Sequence, residues 1–126
     1  MSRFLLDSHA LLWWAEDPAL LSMEARHALS DGRHLVFVSV ASIWELGIKQ
    51  ASGKLKVPED VRVLLKANRF DVLSISADHA HAAPALPPHH RDPFDRMLVA
   101  QASIEGLTIV TRDANIAKYD VPVLAA

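Results

Sequence analysis

Five short apolar runs, each followed by a stretch of helical length or by a tight turn, set the limits on how this chain can fold. Arg3 to Leu6, Leu35 to Val38, Asp71 to Ile75, Leu107 to Val110 and Val121 to Leu124 read as strands. Strands buried on both faces appear in sequence as unbroken apolar segments, and Phe4-Leu5-Leu6 and Leu35-Val36-Phe37-Val38 do so. Between them lie helical segments: Ser8 to Ala15, Ser22 to Leu29, Ala41 to Ala51, Glu59 to Ala67, Ser76 to Ala83, Pro93 to Glu105 and a short Ala114 to Tyr119. Val61, Leu64 and Leu65 keep the i, i+3, i+4 spacing of a helix with one apolar face. Pro18 and Pro84 lack the amide proton a helix interior needs and are expected to end helices. Gly32 and Gly106 are expected to do so by left-handed geometry. Strands separated by helical crossovers imply a three-layer α/β/α sandwich around a central, mostly parallel five-stranded sheet. The whole chain, 1–126, is expected to form one domain of this kind.

Composition narrows the chemistry. A hydrophobic fraction of 51% with 22% charged residues excludes a disordered chain. The formal net charge of −2 excludes a generally basic nucleic-acid-binding coat, though not a local basic patch. Without cysteine there is no disulfide, thiolate zinc site or cysteine nucleophile. No apolar run approaches a membrane span, and the first residues lack a signal-peptide core, so a cytoplasmic location is expected.

Four of the acids stand apart from the solvated majority. Asp7 directly follows the first strand, Glu45 lies one turn into the helix after the second, Asp95 opens the long helix, and Asp113 follows the fourth strand. In an open parallel sheet the carboxyl ends of the strands share one edge, where ligands bind at the reversal of strand order. Asp7, Glu45 and Asp113 therefore project to that edge, and Asp95 joins them if the preceding crossover returns there. Like charges brought close raise one another's pKa, a conflict that a hard divalent cation removes. An all-oxygen cluster without thiolates favours Mg²⁺ or Mn²⁺. Each acid alone also fits helix capping: Asp7 or Ser8 on the first helix, Ser42-x-x-Glu45 and Asp92-x-x-Asp95 as capping boxes, and Asp113 on the short helix after it.

Phe4-Leu5-Leu6-Asp7-Ser8-His9, Ser42-Ile43-Trp44-Glu45, Asp92-Pro93-Phe94-Asp95-Arg96 and Val110-Thr111-Arg112-Asp113 resemble, in order and spacing, the motifs of PIN-domain nucleases. More narrowly they resemble the VapC-type toxins of bacterial toxin–antitoxin pairs. Gly53-Lys54-Leu55 and Gly106-Leu107 also fit, and the similarity spans essentially the whole chain. The resemblance implies a magnesium- or manganese-dependent endoribonuclease. Asp7 and Asp95 would be the central metal ligands, Glu45 and Asp113 would complete the catalytic site, and Thr111 would support it. It further implies a VapB-type antitoxin that blocks the site, and a homodimer.

Other residues are open to two readings. Arg96, Arg112 and Lys49 are candidate RNA contacts, and equally candidates for offsetting the acids or for surface pairs. Lys54 and Lys56 extend the basic stretch of Lys49. The seven histidines lack zinc spacing and read as surface or capping groups, with His9 nearest the expected edge and His89-His90 just before Asp92. Trp13 and Trp14 point to different sides of the first helix, and Trp44 is expected in the core. Three rival readings remain at this level: a catalytically silent PIN-like binding module, a phospho-acceptor receiver domain, and the same nuclease chemistry acting on structured DNA, for which the chain lacks the length of the extra arches used by larger nucleases. The receiver would need an acceptor aspartate after the middle strand and a later lysine, where this chain has Ile75-Ser76 and Thr111-Arg112.

Overall fold

The computed structural model describes residues 1–57 and 60–126. Strands β1 (Arg3–Leu6), β2 (Leu35–Ser39), β3 (Asp71–Leu73), β4 (Thr108–Thr111) and β5 (Val123–Ala125) form one sheet in the order β3-β2-β1-β4-β5. Every pairing is parallel. The chain starts in the centre of the sheet, builds outward through β2 and β3, then returns to the other side of β1. The reversal of strand order therefore falls between β1 and β4.

The helices are α1 (Ser8–Glu16), α2 (Met23–Ser30), α3 (Val40–Ala51), α4 (Val61–Ala67), α5 (Ala77–Ala85) and α6 (Pro93–Glu105). Strand side chains alternate between two cores, as the two-residue period of a strand requires. Phe4, Leu6, Val36, Val38 and Val110 pack with Ala10, Leu11, Ala25, Leu29, Leu46, Leu64 and Leu65 from α1 to α4. Leu5 and Ile109, paired across β1 and β4, face the opposite layer with Leu98, Val99 and Ala102 of α6. Helix α5 lies against α6, where buried His79 meets Glu105 with Nε2 2.9 Å from Oε1. The expected sandwich is thus present, with all five strands parallel.

Several boundaries differ from the sequence reading, each for a local reason. Helix α5 runs through Pro84 to Ala85 instead of stopping at Ala83. The lost proline N–H falls in the last turn, and the carbonyls of Ala83 and Pro84 are taken by the Arg96 guanidinium. Strand β3 ends at Leu73 because its partner β2 gives way to α3 after Ser39. Strand β4 begins at Thr108 because the Leu107 N–H still bonds the carbonyl of Ala102 in the turn that closes α6. Gly106 provides that turn at φ 68°, a left-handed conformation that glycine adopts without strain. Gly32 plays no such part: α2 ends at Asp31 in extended geometry. The expected helix over Ala114 to Tyr119 shrinks to a 3₁₀ turn at Ile116–Lys118. Asp60 caps α4, so the helix begins at Val61, and the Glu59 proposed as its start lies outside the described residues. No helix among the described residues is long and apolar enough to cross a membrane.

Candidate active site

The carboxyl ends of β1 and β4 sit side by side at the switch point, and Asp7 and Thr111 meet there. Asp7 is the N-cap of α1: one carboxylate oxygen accepts from the Ala10 N–H at 2.8 Å. The other accepts from the Thr111 hydroxyl at 2.5 Å, and Thr111 Oγ1 in turn accepts from the Asp113 N–H at 3.0 Å. One threonine thus ties two of the acids together. Burial pushes the Asp7 carboxyl above its usual range, with the Asp113 charge adding to the rise and the Thr111 hydroxyl opposing it.

The third and fourth acids come from helices on either side. Glu45 is only 6% exposed on α3 and pairs with Lys49 one turn on, at 3.1 Å. Ser39, not Ser42, caps α3, so the expected Ser42–Glu45 capping box does not form. The buried Ser42 hydroxyl has no partner among the described residues. It sits three positions before Glu45, on the same helix face. Asp95 lies in the first turn of α6, whose cap is Asp92. Burial pushes the Asp95 carboxyl up to about 7, and the charges of Asp92, Glu45 and Asp7 push the same way. That coupling links Asp95 to Glu45 on α3 and to Asp7 at the cap of α1.

His90 joins the last pair. Its Nε2 lies 3.0 Å from Asp95 and 3.1 Å from Asp113. Its Nδ1 faces the Asp92 N–H at 3.1 Å. A backbone N–H can only donate, so Nδ1 accepts and the ring proton of neutral His90 sits on Nε2. His90 therefore donates to the carboxylates instead of competing with them as a ligand. Burial pushes Asp113 up, but the bonds from His90 and from the Ile116 and Asn115 amides outweigh it and hold the carboxyl below its usual range. His90, Asp95 and Asp113 offer polar atoms that all lie within 4.8 Å of one another.

The donor set fits a hard divalent cation. Every candidate ligand on the four acids is a carboxylate oxygen, two of the groups are held high by burial and mutual repulsion, and a buried hydroxyl nearby lacks a partner.

Comparison with known proteins decides the family. The PIN-domain family model matches residues 4–122. The chain belongs to the PIN-domain family. It is 32% identical over 125 residues to Ribonuclease VapC22 of Mycobacterium tuberculosis, a match that covers 97% of this chain and 95% of that one. Two solved structures share the fold. VapBC2 from Rickettsia felis, bound to a promoter DNA fragment, superposes with a TM-score of 0.73 at 14% identity, covering 97% of each chain. VapBC-5 from Mycobacterium tuberculosis, a member of the VapBC family of toxin–antitoxin systems, gives 0.62 at 19% identity over all of both chains.

Within this PIN domain the basic candidates have prior engagements. Arg96 donates to the carbonyls of Ala83, Pro84, Leu86, Pro87 and His90 and to the Tyr119 hydroxyl. Arg112 bonds the carbonyls of Ala126 and Leu20 and lies over the Trp13 ring, 4.3 Å from its centroid. Lys49 is the partner of Glu45. The tryptophans also depart from expectation. Trp44 is 63% exposed, not in the core, and meets Phe94 edge to face at 5.3 Å. Trp13 and Trp14 are both half-buried, Trp14 donating to Asn68 at 3.0 Å. His90, read from the sequence as a surface or capping group, instead lies between Asp95 and Asp113. Its one signal is its place two residues before the capping Asp92, at the end of a proline-rich loop.

A pH effect follows from Asp95. Its folded carboxyl titrates above the ordinary value of 3.8, so the folded state holds the proton more tightly than the unfolded chain does. The stability this adds is whole below about pH 4 and is lost as pH rises through about 7. In chelator, the melting temperature of the wild type should therefore fall relative to that of Asp95→Asn across this window. A difference that stays constant with pH would show that Asp95 is not held protonated in the folded protein.

Proposed function

We propose that this chain is a divalent-metal-dependent endoribonuclease of the VapC type, the toxin of a toxin–antitoxin pair. The reading is supported by the contacts that tie Asp7 to Asp113 through Thr111, and Asp113 to Asp95 through His90, beside the β1–β4 switch point, with the charge of Glu45 acting on Asp95. The likeness to Ribonuclease VapC22 supports it. Residues 1–126 would act as one domain.

Asp7 and Asp95 would hold the cation, Mg²⁺ or Mn²⁺, with Glu45 and Asp113 completing its surroundings. When bound, the cation neutralises charge on the phosphate oxygens and lowers the pKa of a water. Thr111 fixes the Asp7 carboxylate and orients the Asp113 backbone. Glu45 or Asp113, outside the central pair, would orient the attacking water and take its proton as it adds in line to phosphorus; the P–O bond opposite breaks, and the departing ribose oxygen takes up a proton from solvent. Lys49 offsets the charge of Glu45. Because Arg96 and Arg112 are bonded to backbone carbonyls, we assign their main role to shaping the walls of the site. The partner would be a VapB-type antitoxin, the active form a homodimer and the location cytoplasmic.

Purified protein should cleave single-stranded RNA with Mg²⁺ or Mn²⁺ present and lose that activity in chelator. Metal binding without any RNA cleavage would favour a silent binding module instead. Expression alone should arrest growth, and the cognate antitoxin, co-expressed, should relieve the arrest.

A further inference from the structure

A cleft of about 290 Å³ opens beside the acids, lined by Asp7, His9, Trp13, Arg112 and Asp113. Its walls differ in character. Asp7 and Asp113 belong to the acidic cluster. His9 and Trp13 stand one turn apart on α1, and their rings lie nearly parallel, 23° between planes and 5.8 Å between centroids. Arg112 braces Trp13 through the cation–π contact, while the carbonyls of Ala126 and Leu20 hold its Nε and Nη2. Its Nη1 has no partner among the described residues. His9 is exposed, whereas Asp7, the cap, and Ser8 after it are buried.

Resting on the ribonuclease reading above, we infer that the His9–Trp13 ledge stacks the nucleobase next to the phosphate held at Asp7 and Asp113. A single-stranded nucleotide matches both walls: its base covers the rings while its phosphate, with the cation, answers the carboxylates. An apolar peptide segment would cover the rings and leave Asp7 and Asp113 unanswered. Exposed aromatic rings bind bases by stacking, which tolerates any base because every base has a π face. Trp13 is locked from behind by Arg112, so the ledge is preformed and His9 is its accessible part. The contact therefore discriminates the presence of a base from its absence, not one base from another.

The test uses Asp95→Asn as the parent, so that RNA is bound without being cut, with the Mg²⁺ concentration raised until the site that this substitution weakens is refilled. Binding of an end-labelled, mixed-sequence single-stranded RNA is followed by anisotropy with Mg²⁺ present. Adding His9→Ala should raise Kd about tenfold, and His9→Phe should restore it to within about twofold of the parent. RNA carrying abasic sites should bind the parent about as weakly as intact RNA binds the alanine variant. His9 is exposed, so both variants should keep the parent's melting temperature. An unchanged Kd for His9→Ala, or His9→Phe behaving like alanine, would overturn the stacking assignment while leaving the ribonuclease reading intact. Failure of the wild type to cleave RNA would sink that reading and this inference together, and failure of the parent to bind RNA that the wild type cleaves would overturn this inference alone.

Discussion

Asp7→Asn is expected to lower RNA cleavage by about a hundredfold or more while leaving the fold intact. The substitution separates the cap that Asp7 forms on α1 from the metal-binding role proposed for it. As a helix cap, asparagine accepts the Ala10 N–H as well as aspartate does. The Thr111 hydroxyl can rotate to accept from the new amide instead of donating to the carboxylate. In the proposed metal-binding role, the amide carries no charge and would bind a hard cation poorly. Burial already holds the Asp7 carboxyl above its usual range, so removing the charge should leave the metal-free protein as stable as before or more so. The measurements are the cleavage rate and the melting temperature in chelator, taken on the same preparation. A variant that is folded and cleaves at the wild-type rate would remove Asp7 from the chemistry. A variant that unfolds would show that the carboxylate is needed for the fold itself.

The second large effect is structural. Arg96→Leu should cost about 3 kcal/mol and lower the melting temperature by about 10 °C. The guanidinium gathers carbonyls from the end of α5 and from the loop over Leu86 to His90, segments without regular ladders of their own. The Tyr119 hydroxyl completes the knot, accepting from Arg96 and from the His90 N–H and donating to the Pro87 carbonyl at 2.6 Å. Removing the guanidinium leaves those acceptors partly buried and unpaired, and frees the loop that places His90 between Asp95 and Asp113. Arg96→Lys should recover little, because one ammonium cannot reproduce a planar fork that bonds in several directions. If instead Arg96→Leu melts like the wild type and only its affinity for RNA falls, Arg96 contacts substrate and does not staple the loop.

Arg96 also shows where sequence reasoning stops. Its place beside Asp95 marked it as a residue of the site, yet adjacency along a helix says nothing about which way a long side chain runs. The carbonyls it serves lie six to thirteen positions away, exposed by a proline-rich loop whose path no periodicity encodes. Trp44 fails for a related reason. An apolar residue beside a buried acid looks like core, but neighbours on a helix are turned about 100° apart, so burying Glu45 turned the indole outward. The sheet was legible because Phe4-Leu5-Leu6 and Leu35 to Val38 are apolar on both faces, a demand that only a covered parallel sheet makes. The meeting of Asp7 and Asp113 was legible for the same reason, since the ends of parallel strands share an edge. His90 was not, because its role depends on the return of the Leu86 to Asp92 loop to that edge.

Mn²⁺ titration followed by electron paramagnetic resonance reads the cation itself without requiring a substrate. The wild type should take up Mn²⁺ saturably, Asp7→Asn and Asp95→Asn should each weaken the uptake by about tenfold or more, and Mg²⁺ should displace it. Uptake by either variant equal to that of the wild type would mean that these carboxylates gather at the switch point for some purpose other than holding a cation.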